Sequence, residues 1–407
     1  MRSTGDPTLV MAPFRGLRFD PAAVGDLASV ISPPYDVLDA DTVRDLEAAN
    51  PRNIVRLILS RHYERPYLAV RKRLERWRDE GSLVPDPDPA LYLYQYTVEG
   101  VTVRGLIGLV GLRDPGERVI LPHEDVMPGP VEDRSVLMRT TGTNLEPILL
   151  VHEGSAPLRE LLEKASLRAP IMDFEERDGS AHRVWALTNV DQHEAVAELL
   201  APGQALIADG HHRYSAYLAL QQELRDPAAP RGQSPWDYGL AMLVDQHDYP
   251  LNVGPIHRSV TALTLADVVE ASADRGDRVT MCADRESALA ALHRTPSPRG
   301  MAQFVLSDGR AWALLCTQRR HDVDSAVLHD QLFPAWNVAE AQVDYHHSLD
   351  QALQTTAREP GIVVGLRAPL LGQVMSSAAE GVRMPRKSTS FSPKPRMGLI
   401  LRDLRDS

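Results

Sequence analysis

Apolar residues recur along this 407-residue chain at the two spacings that are typical of strands and of helices. Residues 91–98 place tyrosines at every second position, and residues 101–112 continue an apolar pattern after Glu99-Gly100, which predicts a β-hairpin. A second hairpin is predicted at residues 301–306 and 311–316, and a strand at residues 54–59. Helical spacing predicts helices at residues 41–49, 67–80, 158–165, 191–200, 264–273 and 285–293. This alternation favours a mixed α/β (α+β) fold over a regular parallel repeat.

The stretch that we take as central is residues 205–224, in which a short apolar run precedes Asp209-Gly210 and a helical pattern follows. These features predict a buried strand, a tight glycine turn and the N-terminus of a helix, with His211, His212 and Arg213 in the first turn. The helical pattern rests on residues at three- and four-residue intervals that should form one buried stripe, namely Tyr214, Tyr217, Leu220 and Leu224.

A turn of this kind can bind phosphate. The amides in the first turn of a helix lack partners within the helix, and the helix dipole favours negative charge there. Arg213 adds a planar set of donors that fits phosphate oxygens. Two alternatives stay open: an ordinary strand-turn-helix junction with surface histidines, or a metal site. Metal binding ranks below phosphate binding, because adjacent histidines usually point apart and no cysteine is near.

A second polar segment is the irregular loop at residues 121–134, which is rich in acids and prolines. His123, Glu124 and Asp125 offer a general base or ligands for magnesium. Asp133-Arg134 is predicted to cap and start the next helix. The alternative is an acidic, solvated loop without a chemical role.

A third polar segment, residues 384–399, concentrates basic and hydroxyl side chains between prolines, namely Lys387, Ser388, Thr389, Lys394 and Arg396. A lysine followed by serine or threonine is typical of the end of a phosphate-binding loop, but the preceding glycines of that motif are missing. The segment could instead be a solvated tail, although its positive charge in an acidic protein disfavours this interpretation.

Other single residues could reach a ligand. Tyr35 and Asp36 follow Pro33-Pro34, which fixes an extended turn, so this segment is either a rigid connector or the wall of a pocket. Asn144 lies between a predicted helix and a predicted strand and could also contact a ligand.

Composition limits the class of protein. The formal net charge of −11 argues against general nucleic-acid binding, which needs a basic face. Cys282 and Cys316 fit no common metal spacing and indicate reduced thiols. No secretory segment or apolar run of membrane-spanning length is evident, so we expect a cytoplasmic protein without a membrane partner. The length predicts two lobes, and the loop at residues 227–235 places them at residues 1–235 and 236–407; the oligomeric state stays open.

Several segments together resemble one family, the bacterial domain of unknown function 1015 family, from Phe14 to about Leu401. In chain order they are ISPPYDV, NPRNIVRL, GLIGLVGL, LPHEDVMPGPVEDR, NLEPI, IADGHHRYSAY, GPIHR and MPRKSTSFSPKPRMGL. The family name itself implies no activity.

The Asp-Gly-His-His-Arg turn is also similar to the phosphate-binding turn of the ParB/sulfiredoxin superfamily, one branch of which is a free serine kinase with the same string. This resemblance implies a ParB/sulfiredoxin-like nucleotide-binding core with a second α/β lobe. It also implies contacts to phosphates or magnesium for Asp209, His211, His212 and Arg213. The kinase branch carries an upstream catalytic glutamate, for which Glu124 is the candidate.

Our leading hypothesis is a phosphotransferase that moves a phosphoryl group between a nucleotide (ATP or ADP) and a small hydroxylated metabolite, possible examples being serine and phosphoserine. Charge neutralisation and positioning are what such chemistry needs. The residues assigned are, for the phosphates, Gly210, His211, His212, Arg213, Lys387, Ser388, Thr389 and Lys394; for catalysis, Glu124, Asp209, His123 and His211; for Mg²⁺, Asp209 and Asp125; and for the substrate, Tyr35, Asn144 and Arg134.

Two other functions stay open: a non-catalytic nucleotide-binding switch, and a phosphohydrolase that acts on a small phosphomonoester. A DNA-binding function, which only the ParB likeness suggests, conflicts with the acidic charge and with the lack of a visible helix-turn-helix.

Overall fold

The computed structural model describes residues 7–59, 66–294 and 300–406, so the polar start of the chain at residues 1–6, where we expected no signal sequence, lies outside the described residues. The strands are β1 (Met11–Ala12), β2 (Gly16–Phe19), β3 (Leu83–Pro85), β4 (Leu91–Val98), β5 (Val101–Gly111), β6 (Ile120–Leu121), β7 (Thr143–Asn144), β8 (Ile148–His152), β9 (Met172–Glu175), β10 (Ala181–Leu187), β11 (Ala205–Asp209), β12 (Tyr238–Asp245), β13 (Asn252–Pro255), β14 (His257–Thr261), β15 (Arg278–Cys282), β16 (Met301–Ser307), β17 (Trp312–Gln318), β18 (Val343–His346), β19 (Gly361–Gly365), β20 (Thr389–Ser392) and β21 (Leu401–Asp403).

The α-helices are α1 (Pro21–Val24), α2 (Ala40–Ala49), α3 (Val55–Ile58), α4 (Pro66–Asp79), α5 (Pro128–Thr141), α6 (Ala156–Ser166), α7 (Val190–Leu200), α8 (His211–Leu224), α9 (Leu265–Arg275), α10 (Arg285–His293), α11 (Asp324–Val327), α12 (Phe333–Ala335), α13 (Leu349–Arg358) and α14 (Leu371–Glu380). A π-helical turn (Leu328–Leu332) separates α11 from α12. Short 3₁₀ turns include Tyr35–Val37. The mixed α/β class expected from the sequence is confirmed, whereas the ParB/sulfiredoxin-like core stays a prediction.

The chain forms two compact units. The first contains the residues up to Pro122, Val126–Leu251 and the segment from Pro393 onward; the second contains His123–Asp125 and Asn252–Ser392. This division differs from the expected lobes, 1–235 and 236–407. The reason is that β12 pairs with β5 and β8 inside the sheet of the first unit, and the C-terminal segment returns to that unit.

The first unit is built on a mixed nine-stranded sheet with the strand order β6-β11-β8-β12-β5-β4-β10-β9, and with β1 paired to β5. The hairpin predicted from the tyrosine spacing is present as β4 and β5. β8 runs parallel to β12 but antiparallel to β11. Consequently β11 ends at Asp209 on the edge where β8 begins, whereas β8 and β12 both end at the opposite edge.

Helices α6, α7 and α8 bury one side each in the core of this unit. In α8 the predicted stripe is buried at Tyr214, Tyr217 and Leu220, each at most 3% exposed, but Leu224 is 39% exposed because the helix ends there. Full burial of an apolar side chain of this size contributes roughly 1.5–3 kcal/mol. The stripe therefore anchors α8 and, with it, the turn that precedes the helix.

A smaller sheet, β3-β2-β21-β7, ties the C-terminus into the first unit. Arg402 of β21 is fully buried and donates to the carbonyl oxygens of Tyr238 and Pro235 at 2.6 and 2.7 Å. These bonds satisfy carbonyl oxygens just before and at the start of β12. The side chain of Arg402 therefore holds β21 against β12.

The second unit contains an antiparallel six-stranded sheet, β15-β17-β16-β19-β14-β18, and the two-stranded ribbon β13-β20. The second predicted hairpin is present as β16 and β17. Its core includes Phe304, Leu315, Leu332 and Ile362, all fully buried.

Three local predictions were wrong. The predicted strand at 54–59 is the one-turn helix α3: Oδ1 of Asn53 accepts from the Val55 amide, and a short buried run does not by itself distinguish strand from helix. Helix α2, predicted to begin at residue 41, begins at Ala40 and has Asp39 as its N-cap. Helix α5 begins at Pro128, before Asp133-Arg134, because a proline in the first turn loses no helical hydrogen bond.

Across the part of the chain that the structure describes, none of the helices combines the length and the apolar character that crossing a membrane requires.

We expect Gly239→Ala to destabilise the first unit by about 1–3 kcal/mol, the usual cost of overpacking. A Cβ at position 239 would lie 2.4 Å from Cδ2 of the buried Tyr217 ring. Urea unfolding followed by circular dichroism measures the change. Gly254→Ala in β13 is the control, because its Cβ would meet Ser390 at an ordinary 3.5 Å. A Gly239→Ala variant as stable as the parent would contradict this packing.

Candidate functional site

The turn between β11 and α8 requires glycine for two reasons. Gly210 has a φ of 97°, which residues with a side chain rarely adopt. A Cβ at this position would also lie 2.8 Å from Cγ2 of Ile148. Because the N-cap residue has no side chain, it cannot supply the oxygen that serine, threonine or aspartate caps give to the first-turn amides. The start of α8 is therefore suited to an external anion.

Arg213 is buried behind this turn, with 1% of its surface exposed. Its Nη2 donates to Oδ2 of Asp209 at 2.5 Å, and its Nη1 donates to the carbonyl oxygen of Pro147 and lies 3.6 Å from Oε2 of Glu146. Among the described residues its Nε has no hydrogen-bond partner. We predicted that this guanidinium contacts phosphate; both terminal nitrogens instead bind protein groups, so Arg213 supports the turn.

Lys394 lies between two carboxylates. Its Nζ is 2.5 Å from Oδ2 of Asp36 and 2.5 Å from Oδ1 of Asp209. The three side chains are largely buried, with exposed fractions of 10% for Lys394, 15% for Asp36 and 21% for Asp209. The ammonium group of Lys394 thus joins the segment at Asp36 to the end of β11 at Asp209, although the three residues are far apart in the sequence.

Asp209 stays ionised and Lys394 stays protonated at neutral pH. Burial alone would raise the pKa of Asp209, but Lys394 and Arg213 hold the pKa well below its usual range. Burial alone would lower the pKa of Lys394, but Asp209 and Asp36 raise it above its ordinary value. A carboxylate with so low a pKa is a poor proton acceptor at neutral pH, so Asp209 is a counter-ion to Lys394 and Arg213 in this structure, and its assignment to catalysis stays a prediction.

Tyr35 and Arg134 lie beside the same cluster. The guanidinium carbon of Arg134 is 5.3 Å from the centroid of the Tyr35 ring, and Nη1 of Arg134 is 3.5 Å from Oε1 of Glu146. Glu146 therefore lies between Arg134 and Arg213. Burial raises the pKa of Tyr35 to about 12, so its hydroxyl stays neutral and can donate a hydrogen bond.

Of the remaining residues predicted for this unit, His211 also lowers the pKa of Asp209, whereas the side chains of His212 and Asn144 have other protein partners. His211 is buried, with 6% exposed, and is not a surface histidine. Nε2 of His212 accepts from the amide of Met127 at 3.0 Å. Asn144 is 3% exposed, and its Oδ1 accepts from Arg402 at 3.3 Å. The Asn144 side chain thus has a structural partner within β7 and β21.

The other predicted residues belong to the second unit, where two sequence-distant segments pack together. Nε2 of His123 is 2.7 Å from Oγ1 of Thr389, and the amide of Ser388 donates to Oε2 of Glu124 at 2.9 Å. Lys387 adopts a left-handed conformation, with a φ of 56°. The segment from 384 to 399 is thus divided: Lys387, Ser388 and Thr389 lie in the second unit, and Lys394 lies in the first.

The two residues predicted as magnesium ligands belong to different units, and their shared role stays a prediction. Asp209 belongs to the first unit and Asp125 to the second. Both oxygens of Asp209 already accept from cations, and the Asp125 side chain is 63% exposed. Within residues 7–59, 66–294 and 300–406, no group of three histidine, cysteine, aspartate or glutamate side chains is placed to hold a metal ion. We therefore derive no step through magnesium.

Two charged residues were not assigned from the sequence. Glu146 lies in the NLEPI segment, which the resemblance to the family had already singled out. No neighbouring residue in the sequence, however, indicated that Glu146 lies between two arginines.

Arg258 lies in the GPIHR segment. It is fully buried, and its Nε and Nη2 are 3.2 Å from Nε2 of His329 in the π-helical turn. No described carboxylate forms a salt bridge with Arg258. Burial lowers its pKa to about 10.

These features place the chain among mixed α/β proteins with a charged strand-turn-helix site. The chain belongs to the family described as "Protein of unknown function (DUF1015)", whose model matches residues 11–350, so the family assignment made from the sequence is confirmed. A search of curated proteins found no match.

Solved structures that match this chain include a mutant free serine kinase in complex with ADP, at 16% identity and a TM-score of 0.39, covering 73% of this chain and 92% of that one. A conserved hypothetical protein from Pyrococcus furiosus matches at 16% identity and a TM-score of 0.40, covering 76% and 97%. SbnI with a C-terminal truncation from Staphylococcus aureus matches at 10% identity and a TM-score of 0.40, covering 72% and 86%.

We expect Arg213→Gln to lower the free energy of unfolding by roughly 3–5 kcal/mol, because it leaves Asp209 and Glu146 buried with less compensation. Equilibrium unfolding in urea measures the loss. Arg139→Gln is the control, since Arg139 pairs with Glu223 on the surface and such pairs contribute little. Equal stability of the two variants would show that Arg213 does not support the turn.

We expect the second unit to lose stability as the pH falls from about 6.5 to 4. Burial, and then the nearby Arg258, lowers the pKa of His257 and of His329 to about 4. In this window the unfolded chain binds more protons than the folded one, so the free energy of unfolding decreases, by about 2 kcal/mol per histidine at pH 5.

Urea unfolding at pH 7.5 and pH 5, followed by the fluorescence of the buried Trp336, tests this pH dependence. His329→Gln should reduce the loss, whereas His321→Gln, at an exposed position, should not. A loss of the same size in His329→Gln and in the parent would exclude His329 as its source.

Proposed function

We propose that the first unit binds the phosphates of a nucleotide at the start of α8 and transfers a phosphoryl group to or from a small hydroxylated metabolite. The observation that carries this proposal is the position of Lys394, whose ammonium group lies between Asp36 and Asp209 at the end of β11. A buried cation beside a helix start with a glycine cap is an arrangement that stabilises phosphoryl oxygens.

Phosphate binding in this cluster requires an exchange of partners. Among the described residues, Lys394 is the only hydrogen-bond partner of the Asp36 carboxylate. Asp209, in contrast, is also held by Arg213. A phosphate oxygen that approaches Lys394 therefore displaces Asp36 more easily than Asp209. Asp209 then keeps its contacts with Arg213 and Lys394, and the Asp36 carboxylate is released from Lys394.

The freed Asp36 carboxylate then serves as the proton acceptor. The hydroxyl oxygen of the metabolite forms a bond to the terminal phosphorus, the bond from that phosphorus to the bridging oxygen breaks, and the nucleoside diphosphate leaves. The hydroxyl proton passes to Asp36, whose release depends on phosphate having bound first. Tyr35 offers a neutral hydroxyl beside the cluster. Glu124 is not used in this mechanism, because it belongs to the second unit.

This mechanism predicts opposite effects for Asp36→Asn on binding and on turnover. Removal of the competing carboxylate should tighten nucleotide binding severalfold, while loss of the proton acceptor should lower kcat by about 10²-fold or more. Isothermal titration measures binding, and phosphorus NMR measures transfer. Asp41→Asn is the matched control, because it removes the same charge from a side chain that is 80% exposed.

Weaker nucleotide binding in Asp36→Asn, or unchanged turnover, would contradict the exchange of partners.

The first experiment is a thermal-shift screen of nucleotides with magnesium, followed by incubation of each hit with serine, other hydroxy amino acids and their phosphates. Tight binding without turnover would support the switch hypothesis. Release of inorganic phosphate from a phosphomonoester without nucleotide would support the phosphohydrolase hypothesis.

A further inference from the structure

A closed set of buried hydrogen bonds in the first unit surrounds Arg396, two residues after Lys394. Its other members are Tyr94 of β4, His182 of β10 and Glu176, which follows β9. These strands are neighbours in the nine-stranded sheet, in the order β4-β10-β9. Tyr94 and His182 are fully buried, and the side chains of Arg396 and Glu176 are 11% and 16% exposed. The set therefore lies in the interior of the unit.

The direction of each bond follows from the donors. The Tyr94 oxygen accepts from the amide of Arg396 at 3.4 Å, which leaves its own proton to donate to Nδ1 of His182 at 3.0 Å. Nε2 of His182 then donates to Oε1 of Glu176 at 2.7 Å, and Nε of Arg396 donates to the same oxygen at 2.5 Å. The bonds thus form a ring that begins at the backbone of Arg396 and ends at its guanidinium group.

Glu176 can accept both bonds because its carboxylate is ionised. Burial alone would raise its pKa, but the hydrogen bonds from His182 and Arg396 lower the pKa below its ordinary value. Nη2 of Arg396 also donates to Oδ2 of Asp178 at 3.1 Å. The turn between β9 and β10 therefore holds Arg396 with two carboxylates, and such charge-assisted bonds are stronger than bonds between neutral groups.

The backbone on both sides of Lys394 has further contacts. The hydroxyl group of the fully buried Tyr96 donates to the carbonyl oxygen of Pro393 at 2.8 Å. Met397 exchanges two backbone hydrogen bonds with Ser32, at 2.9 and 3.2 Å. The segment that carries Lys394 is therefore held before the lysine and after it.

Pro393 and Pro395 leave the backbone at Lys394 few conformations. A proline ring fixes its own φ at about −65°, and the residue before a proline is restricted to extended conformations. The contacts on either side of this stiff segment thus determine where the side chain of Lys394 begins. Because a lysine side chain is long and flexible, a fixed backbone reduces the number of positions that its ammonium group can reach.

From these contacts we infer that Tyr94, Tyr96 and His182 are positioning residues for Lys394. They act through the backbone before and after the lysine, whereas the ammonium group itself bonds to two carboxylates. A displacement of this backbone by about 1 Å would loosen the contact with Asp209. The consequence for phosphate binding rests on the proposed function, but the placement of the ammonium group does not.

The test follows the ammonium protons of Lys394 by nitrogen NMR, in the full-length protein and without nucleotide. The signal that disappears in Lys394→Arg identifies this group among the lysines of the chain, which are Lys72, Lys164, Lys387 and Lys394. Protons that are held in hydrogen bonds exchange slowly with water. Tyr94→Phe and Tyr96→Phe should each accelerate this exchange by about threefold or more, since one hydrogen bond is worth a factor of that order.

Tyr92→Phe is the matched control. Tyr92 is on the same strand, is fully buried and bonds to Gly16 and Asp86, and its described hydrogen bonds do not reach residues 393–397. All three tyrosine variants should lose stability in urea, but Tyr92→Phe should leave the exchange at Lys394 unchanged. This comparison separates positioning from a general loss of stability.

Two variants test His182. His182→Leu, which cannot bond to Glu176, should accelerate the exchange at Lys394. His182→Gln, whose amide can still donate to that carboxylate, should restore part of the parent rate. The tyrosine variants decide the question if His182→Leu fails to fold.

Equal exchange rates at Lys394 in Tyr94→Phe, Tyr96→Phe and Tyr92→Phe would overturn the inference. A parent protein in which Lys394 exchanges as fast as the exposed Lys72 would also overturn it. Isothermal titration with ADP then tests the consequence for phosphate: Tyr94→Phe and Tyr96→Phe should bind ADP about threefold more weakly than Tyr92→Phe. Absence of ADP binding in the parent would contradict the proposed function alone, because the exchange rates are measured without nucleotide.

Discussion

The first unit depends on one buried set of ion pairs, in which the Asp209 carboxylate accepts from Lys394 on one oxygen and from Arg213 on the other. Charges removed from water are costly unless each is paired and hydrogen-bonded. This constraint draws together four separate parts of the chain: the turn after Pro34, the segment at Glu146-Pro147, the turn at Gly210 and the segment from Pro393. None of these segments could move away without leaving an unpaired charge in the interior.

In the proposed function, the same constraint prepares the site for an anion. Lys394 is already held in place, so a phosphate would meet an oriented positive charge and helix amides and would not need to order a long side chain first. Asp36 is the exception, because Lys394 alone holds it among the described residues. Its release on phosphate binding would couple occupancy of the site to the appearance of a proton acceptor. In the proposed mechanism, binding and chemistry are therefore linked through one lysine.

Much of the local structure could be predicted from the sequence, because it is encoded locally. The β4-β5 hairpin has a tyrosine at every second position and a turn at Glu99-Gly100, and α8 has its aromatic and leucine stripe. The strand-turn-helix at Gly210 was predictable for the same reason, since a glycine between two apolar patterns marks a turn. Where the local pattern was ambiguous, as in the short buried run that forms α3, burial did not decide between strand and helix.

The composition of the site could not be predicted in this way, because its contacts are long-range. Asp209 and Lys394 are 185 residues apart, and Asp36 and Lys394 are 358 apart. Lys387 and Lys394 looked equivalent in one basic segment, but the chain passes from the second unit to the first between them. Arg213 looked like an exposed phosphate ligand, because nothing near it in the sequence indicates that Glu146 and the Pro147 carbonyl oxygen lie behind the turn.

The most direct test of the central claim is a crystal structure of this protein with a non-hydrolysable ATP analogue, from which the partners of Lys394 can be measured. The account predicts a phosphate oxygen within hydrogen-bond distance of Nζ of Lys394, with Asp209 still bound to Arg213 and with Asp36 separated from the lysine. A nucleotide bound at another place, with Lys394 still between Asp36 and Asp209, would contradict it.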